Sequence, residues 1–325
     1  MRVVITGAAG FIGSRFTELL LADAQRLGYD ELVLLDALTY SGRRENLDGV
    51  LGDPRVRFVH GSILDAAIDD EVLRGAQALV HFAAESHVDR SLTGADAFFA
   101  TNVLGTQTLL EAARRAGVER VVHVSTDEVY GSIPEGAWRE DHLLEPNSPY
   151  SASKAGSDLA ALAYHRSYGL AVSVTRCSNN YGPRQFPEKV IPLFVTNLID
   201  GRRVPLYGDG LNVRDWLHVD DHCRGVALVL ERGRAGEIYN IGGGTELTNR
   251  ELTRRLLALL GQDESMIEPV ADRLGHERRY CVDWTKVHEE LGYEPRVDFE
   301  EGLAATVRWY REHESWWRPL TAARS

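Results

Sequence analysis

Short runs of apolar residues alternate with longer amphipathic segments through the first half of the chain. The runs are continuously apolar, which is typical of parallel strands that are covered on both faces. We predict two helices in this half, Ile12–Leu27 and Thr101–Ala116. We predict strands at residues 3–5, 31–35, 56–59, 78–82, 121–124 and 171–174. This alternation predicts an α/β protein with a doubly wound parallel sheet.

The pattern becomes less regular after residue 176, where prolines and a Gly-Asp-Gly turn interrupt it. Residues 219–231 are predicted to form a helix, and residues 237–241 a strand that returns to the first sheet. Residues 246–260 are predicted to form another helix, and the tail is expected to be less regular. We therefore expect a second, smaller mixed α/β domain that is interleaved with the first in sequence.

Composition and charge narrow the function classes. The 325 residues are 44% hydrophobic and 26% charged, which is typical of a globular protein. The net charge of −12 disfavours a nucleic-acid partner. No apolar run approaches the roughly 20 residues of a membrane span, and no signal peptide is visible. Three widely spaced cysteines (177, 223 and 281) favour a reducing compartment, so we expect a cytoplasmic protein.

One histidine pair has the i, i+4 spacing that zinc sites use, namely His218 and His222. A third ligand is not evident, and the two aspartates between them suit the first turn of a helix. We therefore expect no metal site.

A glycine-rich loop follows the first predicted strand and opens the first helix. Gly7, Gly10 and Gly13 have the spacing of a turn that lets a backbone approach a pyrophosphate at a helix N-terminus. The alternative is a plain strand–helix turn. Asp36, at the end of the second strand, favours the former, because a carboxylate there suits the ribose hydroxyls of NAD. Arg43–Arg44 lies nearby and leaves NADP as the alternative.

Tyr150 and Lys154 open a later predicted helix at i, i+4 spacing, so both side chains can reach one site. A lysine cation is expected to lower the pKa of the phenol, which would yield a base for an alcohol that loses a hydride. The alternative is an ordinary amphipathic helix start. The glycine loop in the same chain favours the catalytic interpretation.

Three polar residues follow the strand at 121–124, namely Thr126, Asp127 and Glu128. Ligands of open α/β sheets lie at the carboxyl ends of the strands, so these side chains are expected to face a substrate. One protonated and one ionised carboxyl would form an acid and base pair. The alternative is a capping or solvated loop.

The chain resembles the extended short-chain dehydrogenases that act on nucleotide sugars and, more narrowly, the dTDP-glucose 4,6-dehydratases. The resemblance rests on the stretches 7–13, 82–91, 125–131, 150–154, 179–183, 186–189, 207–210, 214–216 and 272–276. It covers nearly the whole chain, and the Thr-Asp-Glu triplet is its most specific part, since related epimerases and decarboxylases usually lack that carboxylate pair.

The resemblance implies a redox-neutral lyase reaction on dTDP-glucose with bound NAD. Tyr150, aided by Lys154, would deprotonate the 4-hydroxyl during oxidation at C4. Glu128 would then remove the C5 proton, Asp127 would protonate the departing C6 hydroxyl, and Thr126 would bond the 4-oxygen. Reduction at C6 would give dTDP-4-keto-6-deoxyglucose.

The resemblance also implies binding residues. The cofactor set is Gly7, Gly10, Phe11, Ile12, Gly13, Asp36, Leu38, Thr39, Ser62, Ile63, Ala83, Ala84, Thr101, Tyr150, Lys154 and Asn180. The substrate set is Ser86, Thr126, Asn179, Lys189, Pro205, Tyr207, Arg214, Asn249, Arg273 and His276. Two positions depart from the family pattern. Ser62 replaces an aspartate that the family usually has near the adenine, and Leu274 replaces a usual proline.

The resemblance further implies a Rossmann-type NAD-binding domain over residues 1–178, with 215–241 returning to it. Residues 179–214 and 242–325 would bind the nucleotide sugar. A homodimer is typical of the family, joined through the helices that follow Thr101 and Tyr150. Two alternatives stay open: a UDP-sugar 4-epimerase or decarboxylase of the same superfamily, and a non-catalytic NAD-binding sensor.

Overall fold

The computed structural model describes residues 1–321, without the side chains of residues 24–27. The strands in this range are β1 Arg2–Thr6, β2 Glu31–Asp36, β3 Val56–His60, β4 Ala78–His81, β5 Arg120–Thr126, β6 Val172–Cys177, β7 Asn179–Tyr181, β8 Val204–Tyr207, β9 Val213–His218, β10 Ile238–Ile241, β11 Glu246–Thr248 and β12 Ile267–Val270. The α-helices are α1 Phe11–Leu27, α2 Ala66–Leu73, α3 Val88–Thr93, α4 Asp96–Phe98, α5 Thr106–Ala116, α6 Pro149–Tyr168, α7 Val190–Ile199, α8 Val219–Arg232, α9 Asn249–Leu260, α10 Thr285–Leu291, α11 Phe299–Glu312 and α12 Glu314–Thr321. Short 3-10 helices lie at Arg44–Leu47, Asp127–Tyr130 and Glu264–Met266, and a π-helical segment lies at Phe99–Gly105.

Seven strands form one parallel sheet in the order β10-β6-β5-β4-β1-β2-β3. The central register places Ile5 of β1 between Leu34 of β2 and Val80 of β4. The chain moves outward from β1 to β3 on one side and from β4 to β10 on the other, so the order reverses between β1 and β4. This topology confirms the predicted doubly wound Rossmann-type sheet and places a ligand site at the carboxyl ends of β1 and β4.

Helices cover both faces of this sheet. Val3 and Ile5 of β1 pack in a cluster with side chains of α1 and α8. Val4, which points to the opposite face, packs in a second cluster with side chains of α2, α5 and α6. Burying each such side chain contributes roughly 1.5–3 kcal/mol, so the sheet is a firm base for the loops at its edge.

A smaller mixed α/β region lies toward the C terminus. It contains the three-stranded sheet β11-β9-β7, in which β7 is parallel and β11 antiparallel to β9, and the pair β12-β8. Its core joins residues of α7, α9, α11 and α12, among them Ile191, Leu252, Leu303 and Trp317. The sequence boundaries predicted for the two domains remain predictions, and residues 322–325 lie outside the described part.

Three secondary-structure predictions need correction. The helix predicted at Thr101–Ala116 starts as a π-helical segment, where the Asn102 side chain bonds both backbone groups of Glu85. Residues 246–248 are a strand rather than helix, and α9 begins after Thr248, whose side chain caps the helix in a reciprocal capping box with Glu251. The tail is regular: α10, α11 and α12 occupy most of residues 285–321.

Candidate active site

A cleft lies at the reversal point of the sheet. Its walls come from the loops that follow β1, β2, β3, β4, β5 and β6, and from the first turns of α6. The glycine loop, the polar triplet and the Tyr–Lys pair all line it. Three motifs that are distant in sequence therefore share one cavity.

The glycines allow the first loop to pack tightly against its surroundings. Gly7 has a φ of +67°, and a Cβ there would lie 2.6 Å from the backbone nitrogen of Ala83 after β4. A Cβ at Gly13 would lie 2.2 Å from the carbonyl oxygen of Gly7. The close packing brings the N-terminus of α1 to the cleft, where its free N–H groups and dipole favour an anion.

Asp36 ends β2 beside this loop and is 8% exposed. One carboxylate oxygen accepts a hydrogen bond from the Ala9 N–H and the other from the Leu38 N–H, both at 2.8 Å. A Cβ at Gly42 would lie 2.5 Å from the second oxygen, so a glycine is required there. Burial raises the pKa of Asp36. The carboxyl is thus fixed in direction and lines the cleft.

Ala9, whose N–H binds Asp36, is also held through its carbonyl oxygen. It accepts hydrogen bonds from the Arg43 N–H and from the Asn46 side-chain amide, both at 2.9 Å. The Asn46 oxygen in turn accepts a bond of 3.0 Å from the Trp316 indole N–H of α12. A residue near the end of the described chain therefore supports the loop near its start.

Tyr150 and Lys154 lie in the first turns of α6. This helix begins at Pro149, after a capping box between Ser148 and Ser151. Tyr150 is 8% exposed and Lys154 4%, and the Lys154 Nζ donates a 2.8 Å hydrogen bond to the carbonyl oxygen of Val124 in β5. The lysine is thereby anchored to the sheet beneath the tyrosine.

The expected lowering of the tyrosine pKa is not met. Burial, followed by the negative charge of Glu128, raises the pKa of Tyr150 well above its usual value. Burial also lowers the pKa of Lys154. In this structure desolvation, which favours the neutral phenol, is the largest influence on its proton equilibrium.

Asp127 and Glu128 differ in environment although they are adjacent. Thr126 ends β5 and caps the next turn, since its hydroxyl accepts a 3.3 Å bond from the Glu128 N–H. Asp127 is 2% exposed, and burial, with Glu128 and Asp215 nearby, raises its pKa well above the usual range. Glu128 is only partly buried. Burial therefore favours the protonated form of Asp127, which lies beside a carboxyl that solvent reaches.

Several buried polar atoms in the cleft have no hydrogen-bond partner within residues 1–321. They are Ser125 Oγ, Asp127 Oδ2 and Asn179 Oδ1. Leaving such an atom unpaired costs roughly 1–3 kcal/mol. Their positions indicate a polar ligand between β5 and β7.

Most of the predicted cofactor residues line the cleft: Gly7, Gly10, Phe11, Ile12, Gly13, Asp36, Thr39, Ser62, Ile63, Ala83, Ala84, Thr101, Tyr150, Lys154 and Asn180. Leu38 does not line it; its N–H binds Asp36, and its φ is +48°. Four predicted substrate residues also line it: Ser86, Thr126, Asn179 and Lys189. The Lys189 ammonium donates to the carbonyl oxygen of Ser86.

The other predicted substrate residues lie outside this lining. Tyr207 and Arg273 both reach Asp89, with donor–acceptor distances of 3.5 and 3.3 Å. His276 stacks edge-on against Tyr207, with ring centroids 6.1 Å apart, and bonds Asp272. The three therefore form one cluster.

Three predicted substrate residues remain, namely Arg214, Pro205 and Asn249. Arg214 is buried and stacks on the ring of Tyr280, with its guanidinium carbon 4.5 Å from the ring centroid. Pro205 lies in β8, two residues before Tyr207, and Asn249 opens α9.

Sequence reasoning missed several lining residues, namely Leu35, Ala37, Ser41, Gly42, Gly61, Phe82, Glu85, Val124, Ser125, Cys177, Ser178, Gln185, Phe186 and Glu188. Many adjoin predicted site residues at strand ends, so the strand ends themselves were the available signal. Gln185, Phe186 and Glu188 come from an irregular loop, and no spacing rule identifies them.

The histidine pair has structural roles. His218 caps α8 by accepting a 3.2 Å bond from the Asp220 N–H, and His222 bonds the Asn180 side chain at 2.9 Å. Among residues 1–321, no three potential ligands gather as a metal site would require. No helix in the described range is long and apolar enough to span a bilayer.

Comparisons with known proteins agree with this geometry. The family described as GDP-mannose 4,6 dehydratase matches residues 4–306. A dTDP-glucose 4,6-dehydratase of Streptomyces antibioticus is 61% identical, over 98% of this chain and 95% of that protein.

Solved structures are also similar. The dTDP-glucose 4,6-dehydratase DesIV of Streptomyces venezuelae, solved with NAD and dTDP, is 65% identical, with a TM-score of 0.97 over 98% of this chain and 100% of that chain. A Thermus thermophilus UDP-glucose 4-epimerase in complex with NAD is 35% identical, with a TM-score of 0.88 over 96% and 100%. The chain belongs to the GDP-mannose 4,6 dehydratase family, within the extended short-chain dehydrogenase/reductase superfamily.

Proposed function

We propose that this chain is a dTDP-glucose 4,6-dehydratase, an NAD-dependent lyase that forms dTDP-4-keto-6-deoxyglucose and water. One observation carries the proposal: the buried carboxyl of Asp127, whose pKa burial raises, lies beside Glu128 in the cleft that Tyr150 and Lys154 line. An elimination needs an acid and a base at neighbouring carbons, and this pair offers both.

The cleft fits NAD. The tight glycine loop turns the start of α1 toward a pyrophosphate, and the fixed carboxyl of Asp36 lies where a ribose diol would be bound. Ile63 and Thr101 add flanking surface. When bound, NAD accepts hydride from C4 of the sugar and returns it to C6.

Tyr150 is the group that exchanges a proton with the sugar 4-hydroxyl. Because burial raises its pKa, it needs positive charge nearby to release its proton, and we infer that Lys154, fixed to Val124 and one helical turn away, supplies it. Thr126, at the end of β5, is placed to bond the same oxygen.

Glu128 and Asp127 divide the elimination between them. A 4-ketone makes the C5 proton acidic, and Glu128 is the carboxyl with the more open environment for removing it. Burial raises the pKa of Asp127 and so favours its protonated form, which can give a proton to the departing C6 hydroxyl. The C6 hydroxyl leaves readily as water only when it is protonated and the C5 proton is removed. The adjacent pair is therefore well suited to this step.

Basic residues balance the charge of a nucleotide diphosphate on an acidic protein. Lys189 lies in the cleft, while Arg214 and Arg273 lie in the adjoining C-terminal region. Arg273 keeps its Nε buried and without a partner among residues 1–321, so it has a donor free for phosphate. These features support a dTDP-sugar as substrate.

We also propose a homodimer, joined through the helices that follow Thr101 and Tyr150. Large apolar side chains are exposed there: Leu104 is 55% exposed, Leu159 57% and Tyr168 60%. Light scattering of wild type and Leu159→Arg tests this surface; a wild-type monomer would refute it. A cytoplasmic location stays a prediction from the cysteine content.

The decisive experiment incubates the purified protein with dTDP-glucose and no added NAD. With the incubation in deuterated water, we expect mass spectrometry to show a product that has lost one water and carries one solvent deuteron at C5. Conversion of UDP-glucose to an isomer would establish the epimerase alternative, and loss of carbon dioxide from UDP-glucuronic acid the decarboxylase. Tight NAD binding without turnover of any of these sugars would establish the sensor.

A further inference from the structure

A third polar side chain continues the line of Tyr150 and Lys154 along α6. Asp158 follows Lys154 by four residues, so all three lie on one helix face. Asp158 is fully buried, at 0% exposure, and does not line the cleft. A buried carboxylate is rare without a specific partner, so its surroundings require an explanation.

Asp158 is held by residues of two neighbouring strands. Arg176 of β6 donates from Nε at 2.9 Å, and His123 of β5 approaches with Nε2 at 3.3 Å. The Arg176 guanidinium carbon also lies 4.6 Å from the ring centroid of Tyr130. The carboxylate is therefore fixed between α6 and the sheet, one helical turn beyond Lys154.

His123 donates its hydrogen bond to Ser157 and brings no charge to Asp158. The Ser157 hydroxyl donates to the backbone carbonyl of Lys154 at 2.8 Å, so it can only accept from His123 Nε2 at 3.0 Å. Nε2 therefore carries the hydrogen. Burial lowers the pKa of His123, which keeps the imidazole neutral at neutral pH.

The charges around Lys154 leave Asp158 as its counterion. The ionisable groups whose charges act on the lysine are His81 of β4, His123 of β5, Cys177 of β6 and Asp158 of α6. Burial lowers the pKa of both histidines and raises that of the thiol, so these three are neutral. Burial alone would raise the pKa of Asp158, but Arg176 and His123 lower it to about 2.

We propose that Asp158 is a positioning residue for the reaction, whose carboxylate keeps Lys154 an ammonium ion directed at the carbonyl oxygen of Val124. It acts through Lys154 and touches neither substrate nor cofactor. Its kinetic consequence rests on the proposed function, whereas its effect on the charge of Lys154 does not. The two parts can therefore be tested separately.

The chain makes a direct measurement practical, because it contains only three lysines, Lys154, Lys189 and Lys286. Protein labelled with [ε-¹³C]lysine is titrated by NMR, and Lys286→Arg assigns one signal. In Asp158→Asn the Lys154 midpoint is expected to fall by about 1–3 pH units. The Lys189 and Lys286 midpoints should stay unchanged. A Lys154 midpoint equal to wild type, or no titration of Lys154 over the range in which both proteins stay folded, overturns the proposal.

If Asp158→Asn does not fold, the double variant Asp158→Asn/Arg176→Met takes its place. It removes both charges of the ion pair and fills the space with an apolar side chain, which proteins often tolerate. Lys154 still lacks its counterion, so the same fall in midpoint is expected. A Lys154 midpoint equal to wild type in the folded double variant would also overturn the proposal.

Kinetics give the second readout. The alkaline limb of the kcat profile for dTDP-glucose should move to lower pH with the Lys154 midpoint, while KM changes less than about twofold. Asp141→Asn is the control for loss of a carboxylate, since the Asp141 side chain is 78% exposed; its profile should equal wild type. A wild type without turnover would refute the proposed function and leave the NMR test of Asp158 intact.

Discussion

Asp69 of α2 is an acid buried without compensation. It is 0% exposed, and neither carboxyl oxygen has a hydrogen-bond partner among residues 1–321. Burial, followed by the nearby charges of Asp65 and Asp70, raises its pKa from 3.8 to about 8. We predict that Asp69→Asn makes the protein more stable at alkaline pH.

The sign and size follow from proton linkage. Between pH 4 and 8 the unfolded chain loses this proton while the folded protein keeps it, so the free energy of unfolding falls as pH rises. Each pH unit costs about 1.4 kcal/mol, which gives an upper limit of about 6 kcal/mol by pH 8. Asparagine carries no charge in either state, so the variant lacks this loss.

Urea unfolding of wild type and Asp69→Asn from pH 5 to 8 measures the effect. The difference in unfolding free energy should favour the variant by an amount that grows with pH, up to about 4 kcal/mol across this range. Asp48→Asn is the control, because Asp48 is exposed and lies outside α2. A difference for Asp69→Asn that does not vary with pH would refute the reasoning.

Three variants test the catalytic assignments. Tyr150→Phe should lower turnover roughly 10²- to 10⁴-fold and abolish the transient absorbance of reduced nicotinamide; a normal rate would exclude Tyr150 as the base. Glu128→Gln should still oxidise C4 but stop deuterium exchange at C5, and exchange at the wild-type rate would point to another base. Asp127→Asn should lower kcat more than it raises KM, and the opposite split, measured by initial rates, would rule out the acid role.

The sequence predicts the sheet and its edge well, for a physical reason. Buried parallel strands must be continuously apolar, and the residues that follow them reach one edge of the sheet whatever their sequence separation. Asp36 and Asp127 could therefore be placed together before any coordinates, whereas Asn179 followed only from the family resemblance.

Burial and partners could not be predicted in the same way. The pKa of Tyr150 rises instead of falling because desolvation depends on how tightly α6 packs on β5, which no spacing reports. The cluster of Tyr207, Arg273 and His276 around Asp89 joins segments more than a hundred residues apart, and no local pattern contains that pairing. The start of α9 is different, since the Thr248–Glu251 capping box was readable in the sequence.

The hydrogen bond from Trp316 to Asn46 has a consequence for the timing of assembly. Asn46 supports Ala9 in the cofactor loop, but its own partner is synthesised 270 residues later. At about 5–20 residues per second, a ribosome needs about 15–50 s to cover that distance. The nascent loop therefore gains the hydrogen bond from Trp316 only after that interval, long after its own residues have been synthesised.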